Sequence, residues 1–349
     1  MECNLAGRLV GPQHPPYIIA EIGSNHNGDI PLAKRLIAEA KRCGADAVKF
    51  QSWSSSSLIA KGEYERNTSY ADSERHFGSL REMVEAYQLT PPQHHELAAY
   101  CAEVGIHFLS SAFSQSEVDM LVELDVPAIK IASMDVTHPL LLQWVARTGK
   151  PVILSTGLSS LAEIAAAVEA LESHGCEQLI LLHCVSIYPP EDHDLRLRNI
   201  PMLREAFELP VGYSDHSLGT HVPLAAVALG ACVIEKHFTL DRTLQGWDHW
   251  MSAEPDELAQ LCRGARQVHT ALGGSARLVG QAEREKRAKF RRSIVLAHDV
   301  PGGHVLALDD LSFKRPGTGI APAHHPAVVG RAVRYALTAD HELTWADLG

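Results

Sequence analysis

Eight short apolar runs alternating with helical patterns predict a (β/α)8 TIM barrel (fold class α/β) with a small second domain behind it, in a chain of 349 residues. The runs are continuously apolar, as a parallel sheet covered on both faces requires. A doubly wound open sheet is the runner-up, but it would open its first turn with GxGxxG, and residues 21–28 read EIGSNHNG.

In chain order the predicted strands are 17–23 (YIIAEIG), 47–52 (AVKFQS), 107–113 (HFLSSAF), 128–133 (AIKIAS), 151–157 (PVILSTG), 179–186 (LILLHCVS), 211–217 (VGYSDHS) and 232–238 (CVIEKHF). Helical patterns fall at 31–43, 93–104, 115–124, 138–147, 160–173, 199–207, 220–229 and 255–271. Pro31 after Asp29 is helix-start chemistry, and Ser160 followed by Glu163 reads as a capping box. The polar segment from Trp53 to Gly78 is too long for a simple connection and is expected to be a loop outside the core, a candidate lid.

Composition narrows the function. The chain is 46% hydrophobic and 6% aromatic, enough for a large aliphatic core. A formal charge of -11 argues against nucleic acid as a partner. No run of about 18 apolar residues could span a bilayer, and residues 1–20 lack a signal-peptide pattern, so a cytoplasmic enzyme without membrane association is expected. Seven cysteines without CxxC spacing favour reduced thiols.

In a barrel the polar residues at strand ends form the candidate site. His216 and His237 end consecutive strands and are candidate ligands of a divalent metal. Asp215 and Glu235 beside them are expected to orient the imidazoles. Lys49 and Lys130 are costly inside a barrel unless they meet an anion, either a structural carboxylate such as Glu21 or Asp135 or a bound guest. Hydroxyls of Ser111, Ser133 and Ser155 on neighbouring strands favour a guest, with phosphate the natural one.

Past residue 280 the texture changes. Residues 281–290 read as a charged linker between a barrel over 1–280 and a second domain over 291–349, where Arg315 sits on a rigid Pro-Gly turn.

The motifs AEIGSNHNG, VKFQS, LSSAF, KIAS, LSTG, LLHCVSIYP, GYSDHSLG, EKHFT and RPGTG, in that order over nearly the whole chain, resemble the sialic acid synthases and their nonulosonic acid relatives. The resemblance implies condensation of phosphoenolpyruvate with an open-chain amino-hexose aldehyde, on a barrel followed by an antifreeze-like SAF domain. It implies a domain-swapped homodimer in which one protomer's SAF domain covers its partner's barrel mouth. Carried over, His216 and His237 hold manganese, with magnesium or cobalt as alternatives, and Glu21 is the acid or base. Lys49, Ser111, Lys130, Ser133, Ser155 and Ser214 bind phosphoenolpyruvate. Gln51, Tyr188, Asp248 and the partner's Arg315 reach the sugar.

The sequence departs from that pattern where the sugar is read. Asp135 stands in place of a glutamate, Ser186 in place of an asparagine, and Trp247, His249 and Trp250 crowd Asp248. Arg291 stands where some members have an aromatic residue. These changes leave N-acetylmannosamine, legionaminic-type, pseudaminic-type and other modified acceptors open. Two other readings are a 3-deoxy-octulosonate or heptulosonate phosphate synthase, which needs a second phosphate pocket, and a non-catalytic sugar-binding or ice-binding protein.

Overall fold

The computed structural model describes residues 2–68, 78–274 and 276–349. It divides into two compact units, residues 1–273 and 274–349.

The first unit opens with an antiparallel hairpin absent from the sequence reading, β1 (Cys3–Leu5) and β2 (Arg8–Val10). Eight parallel strands then close into a barrel: β3 (Tyr17–Gly23), β4 (Ala47–Gln51), β5 (His107–Ser111), β6 (Ile129–Ile131), β7 (Val152–Ser155), β8 (Leu179–Cys184), β9 (Val211–Asp215) and β10 (Val233–His237). Each lies within a run expected to be a strand, and β10 pairs with β3 to complete the ring. The helices between them follow their local signals. The first, Ile30–Cys43, has proline in its first turn and ends on Gly44 at φ 93°, a left-handed cap that glycine adopts without strain. The helix Leu161–Ser173 carries the expected Ser160–Glu163 capping box.

Side-chain parity within the strands divides the core in two. Ile18, Ala20, Val48, Phe108, Ile129, Leu154, Leu181 and Ile234 pack outward with the helices. Tyr17, Ile19, Ala47, Leu109, Ile153, Ile180, Leu182 and Val233 fill the lumen, joined by Cys3, Leu5 and Val10 of the hairpin, which plugs the end where the strands begin. Gly212 on β9 is required by this packing, because a Cβ there would lie 2.6 Å from Leu182 Cδ2 and from the Val233 carbonyl oxygen. Gly212→Ala is therefore expected to destabilise the barrel by about 1–3 kcal/mol through overpacking, read as a lower Tm in a thermal melt. An unchanged Tm would show that the strands part without cost.

One expectation is corrected. The segment after β4 is not a core-avoiding loop throughout: it contains the helix Lys61–Arg66, and Trp53 and Tyr64 are buried with Leu80, Met83, Val84, Tyr87 and Phe113 in a satellite apolar cluster. The aromatics, spread over some sixty residues of chain, assemble only in three dimensions; residues 69–77 of the expected loop lie outside the described residues. The stretch expected as a linker is helical, at Gln281–Glu285 and Arg287–Phe290.

The second unit pairs β11 (Ser293–Leu296) with β12 (Leu311–Lys314) around its own core of Ile294, Leu296, Val300, Leu306 and Leu343, among others. It repeats one device. Asp310 accepts from the Ala307 N–H at 2.7 Å with His304 Nε2 at 2.8 Å, and Asp347 accepts from the Thr344 N–H at 2.7 Å with His341 Nε2 at 3.3 Å. All seven cysteines are buried and unpaired. No helix among the described residues is long and apolar enough to cross a membrane.

Candidate active site

The lumen-facing parity that carries apolar residues at the start of each strand turns polar toward its end. Ile19 is followed two residues on by Glu21, Ala47 by Lys49, Leu109 by Ser111, Ile153 by Ser155, Leu182 by Cys184 and Val233 by Glu235. These polar residues, with Lys130, Ser214, His216 and His237, form the floor of a cavity of about 500 Å3 at the barrel mouth. It is lined as well by Gln51, Ser133, Ser186, Tyr188 and Asp248 together with Trp53, Leu58, Phe113, Met134, Leu158 and Trp247.

Two lysines and two glutamates share the floor, all buried. Lys49 Nζ lies 2.7 Å from Glu21 Oε2 and 3.8 Å from Glu235 Oε1, and Lys130 Nζ lies 3.7 Å from the same Glu235 oxygen. Gln51 Nε2 donates to Glu21 Oε1 at 2.7 Å, Lys49 to Ser111 Oγ at 3.3 Å, and Ser214 Oγ to Glu235 at 3.2 Å. Burial pushes Glu21 up to about 7, with Lys49 pulling against it and Glu235 adding to it. Burial also works against ionised Glu235, but Lys130 and Lys49 outweigh it and hold that carboxyl below its usual range. Burial pulls the Lys130 ammonium down. The lysines thus meet structural carboxylates as well as an open cavity. Ser155 Oγ and Glu235 Oε2 are buried with no hydrogen-bond partner, whereas Ser133 Oγ accepts from the Gly157 N–H at 3.0 Å.

The imidazoles of His216 and His237 are neighbours, ring centroids 5.4 Å apart and planes tilted by 48°, and the Tyr188 ring centroid lies 4.2 Å from that of His216 at a tilt of 44°. His216 Nδ1 donates to the Val185 carbonyl at 2.9 Å; burial pulls the ring's pKa down, but hydrogen bonding and charge from Cys184, with the Val185 carbonyl, outweigh it and hold His216 above its ordinary value. His237 Nδ1 is buried without a hydrogen-bond partner, 3.8 Å from Asp248 Oδ2. Burial and neighbouring cations hold His237 well below its ordinary pKa, so it is neutral, as a metal ligand must be. Among the described residues no cluster of three or more His, Cys, Asp or Glu forms a ready-made metal cage. Two neighbouring imidazoles at the barrel mouth, one with an unpartnered buried nitrogen, are donors of the type that suits a divalent cation.

Asp215 and Glu235 do not orient the histidines as expected. Asp215 faces away from the lumen and bonds Lys236 and Ser217, and Glu235 serves the lysines. Asp135 is not among the residues lining the cavity; it sits in the turn Ser133–Asp135, where burial raises its carboxyl to about 6. Arg315 belongs to the second unit, its guanidinium carbon 5.1 Å from the Phe290 ring centroid. The sequence reading missed Cys184, which the period-two pattern of β8 places in the lumen, and the apolar wall of Trp53, Leu58 and Phe113, for which no local signal exists.

With this geometry in place the comparisons decide the family. Residues 36–277 match the NeuB family and residues 291–349 the SAF domain. The chain belongs to the NeuB family. It is 40% identical over 337 residues to the N,N'-diacetyllegionaminic acid synthase of Legionella pneumophila, spanning 94% of this chain and 93% of that one. It is 38% identical over 319 residues to the N-acetylneuraminate-9-phosphate synthase of Homo sapiens, spanning 88% and 85%. The crystal structure of the N-acetylneuraminic acid synthetase of Leptospira borgpetersenii, 37% identical, superposes with a TM-score of 0.74 over 82% of this chain and 95% of that one. This NeuB-family chain is accordingly a synthase, an enzyme of the condensing transferase type.

Proposed function

We propose that this enzyme condenses phosphoenolpyruvate with the open-chain aldehyde of an N-acylated amino hexose, giving a nonulosonic acid and inorganic phosphate. The carrying observation is one lumen that holds two buried lysines, three serine hydroxyls and two neighbouring imidazoles. Lys49 and Lys130, with Ser111, Ser155 and Ser214, bind the carboxylate and phosphate by charge-assisted hydrogen bonds. The enol carbon attacks the aldehyde carbon, water adds to the adjacent carbon, and the carbon to oxygen bond to phosphate breaks. Glu21, its pKa raised to about 7, holds or releases a proton at the aldehyde oxygen or the water. A divalent cation on His216 and His237, manganese or in its place magnesium or cobalt, would supply Lewis acidity toward the aldehyde.

The cavity lining supports a choice of acceptor. Apolar side chains of Trp53, Leu58, Phe113, Leu158 and Trp247 line the cavity, and among the described residues no lysine or arginine other than Lys49 and Lys130 does. A phosphate against such a wall meets no further cation among the described residues, whereas an acyl methyl or deoxy carbon gains contact. A diacylamino, deoxy hexose is therefore favoured over N-acetylmannosamine or its 6-phosphate. Phosphate release should be assayed with phosphoenolpyruvate and each aldehyde. The expected kcat/KM is highest, by about tenfold or more, for 2,4-diacetamido-2,4,6-trideoxy hexoses. Preference for the sugar phosphate would overturn the acceptor choice, and no phosphate release with any aldehyde would overturn the reaction.

The same reading extends to assembly, with Arg315 serving the partner's cavity in a two-fold homodimer. Co-expressed Arg315→Ala and His237→Ala chains should then recover up to half of wild-type activity in mixed dimers. No recovery from a verified mixed dimer would place Arg315 outside the partner's site.

A further inference from the structure

One charged pair in the barrel touches neither the cavity nor solvent. In the parallel pairing of β9 with β10, Asp215 stands opposite Lys236, each one residue before a cavity histidine. Ser214, His216, Glu235 and His237 line the cavity, so strand parity turns Asp215 and Lys236 the other way, toward the helices. Both side chains are buried, at 2% exposure for Lys236 and 0% for Asp215. Lys236 Nζ donates to Asp215 Oδ2 at 2.7 Å and to the Ser217 carbonyl at 2.6 Å. Asp215 Oδ1 in turn accepts from the Ser217 N–H at 2.9 Å and from Ser217 Oγ at 2.7 Å. The ammonium adjoining one imidazole therefore grips both chain neighbours of the other.

We propose that Asp215 and Lys236 form a brace that sets the separation of His216 and His237, and so the affinity of the metal site; the inference rests on the metal reading above. A buried ion pair is a weak source of net stability, because desolvating two charges cancels most of their attraction and an apolar pair of equal volume serves as well. What an apolar pair lacks is direction. Charge-assisted bonds of fixed length tie 236 to 215 and 217, while the Val185 carbonyl fixes the rotation of the His216 ring. The position of His216 is thus set from both sides, by β10 through its backbone neighbours and by Val185, just past the end of β8, through its ring. Metal bonds tolerate only small errors in ligand position, so loosening either anchor weakens binding. Asp215 and Lys236 are positioning residues, since neither reaches the cavity.

The decisive variant is Asp215→Asn with Lys236→Met, which keeps volume and removes both charges; Lys236→Met alone leaves Asp215 buried and unpaired. Chelator-stripped full-length protein is titrated with manganese, and the free ion is followed by its electron paramagnetic resonance signal. Circular dichroism and a thermal melt are recorded alongside. The double variant is expected to remain folded and to bind manganese about 10–100-fold more weakly. Much of its lost activity should return as manganese is raised, a rescue that a general packing defect would not show. Wild-type affinity in the double variant would overturn the brace, as would loss of its fold, which would make the pair structural. The metal reading is tested separately by wild type and His216→Ala. If wild type binds no manganese, or His216→Ala binds it equally well, the site itself falls and the brace with it.

Discussion

His237→Ala is expected to lower turnover about a thousandfold while leaving the barrel folded. On the proposed mechanism, losing Lewis-acid activation of the aldehyde would remove about 4 kcal/mol of transition-state stabilisation, and about 1.4 kcal/mol corresponds to each factor of ten. The imidazole is buried at the end of β10 with Nδ1 unbonded, so its removal breaks no hydrogen bond that holds the fold. Steady-state kinetics with metal analysis of the purified variant checks this. Wild type treated with chelator should fall to the same level and recover on adding manganese. Full activity of His237→Ala in chelated, metal-free buffer would remove the metal from the mechanism.

The second large effect is on phosphoenolpyruvate. Lys130→Met is expected to weaken its binding by about 2 kcal/mol, roughly thirtyfold, the magnitude of a hydrogen bond to a charged group. The same change leaves Glu235 with Lys49 as its remaining cation, 3.8 Å away, so stability should fall as well, by up to about 3 kcal/mol. Calorimetric titration of the metal-loaded protein and a thermal melt separate the two effects. Lys34→Met is the control, because Lys34 pairs with Glu96 on the surface at 2.7 Å and should change neither. Unaltered phosphoenolpyruvate affinity in Lys130→Met would take that lysine out of the anion site.

The barrel was legible because its signals are local. Eight apolar runs, each of strand length and each followed by a helical pattern, several with start residues of their own, specify β3 to β10 without knowledge of any long-range contact. The strand-end residues were legible for the same reason: polar side chains where an apolar run meets its loop mark a barrel mouth, so Glu21, Lys49, Lys130, His216 and His237 could be grouped before they were seen together. The two-residue period of β8 would have found Cys184.

Closure of the ring decided the rest. Lys49 meets Glu21 because β3 and β4 are neighbours, but its approach to Glu235 needs β10 to return and pair with β3, which no local pattern states. Asp215 looked like a partner for His216 because the two adjoin in sequence. Adjacent strand residues face opposite sides, so the carboxylate was sent to Lys236, 21 positions away, and the histidine to the cavity. The apolar wall and the hairpin plug likewise join segments distant in sequence, Trp53 with Phe113 and Cys3 with Leu109. By itself the sequence determined where the strands and helices lie and which residues end the strands, since those signals are local. The tertiary structure alone decided which of them pair, since that depends on strand order and register around a closed barrel.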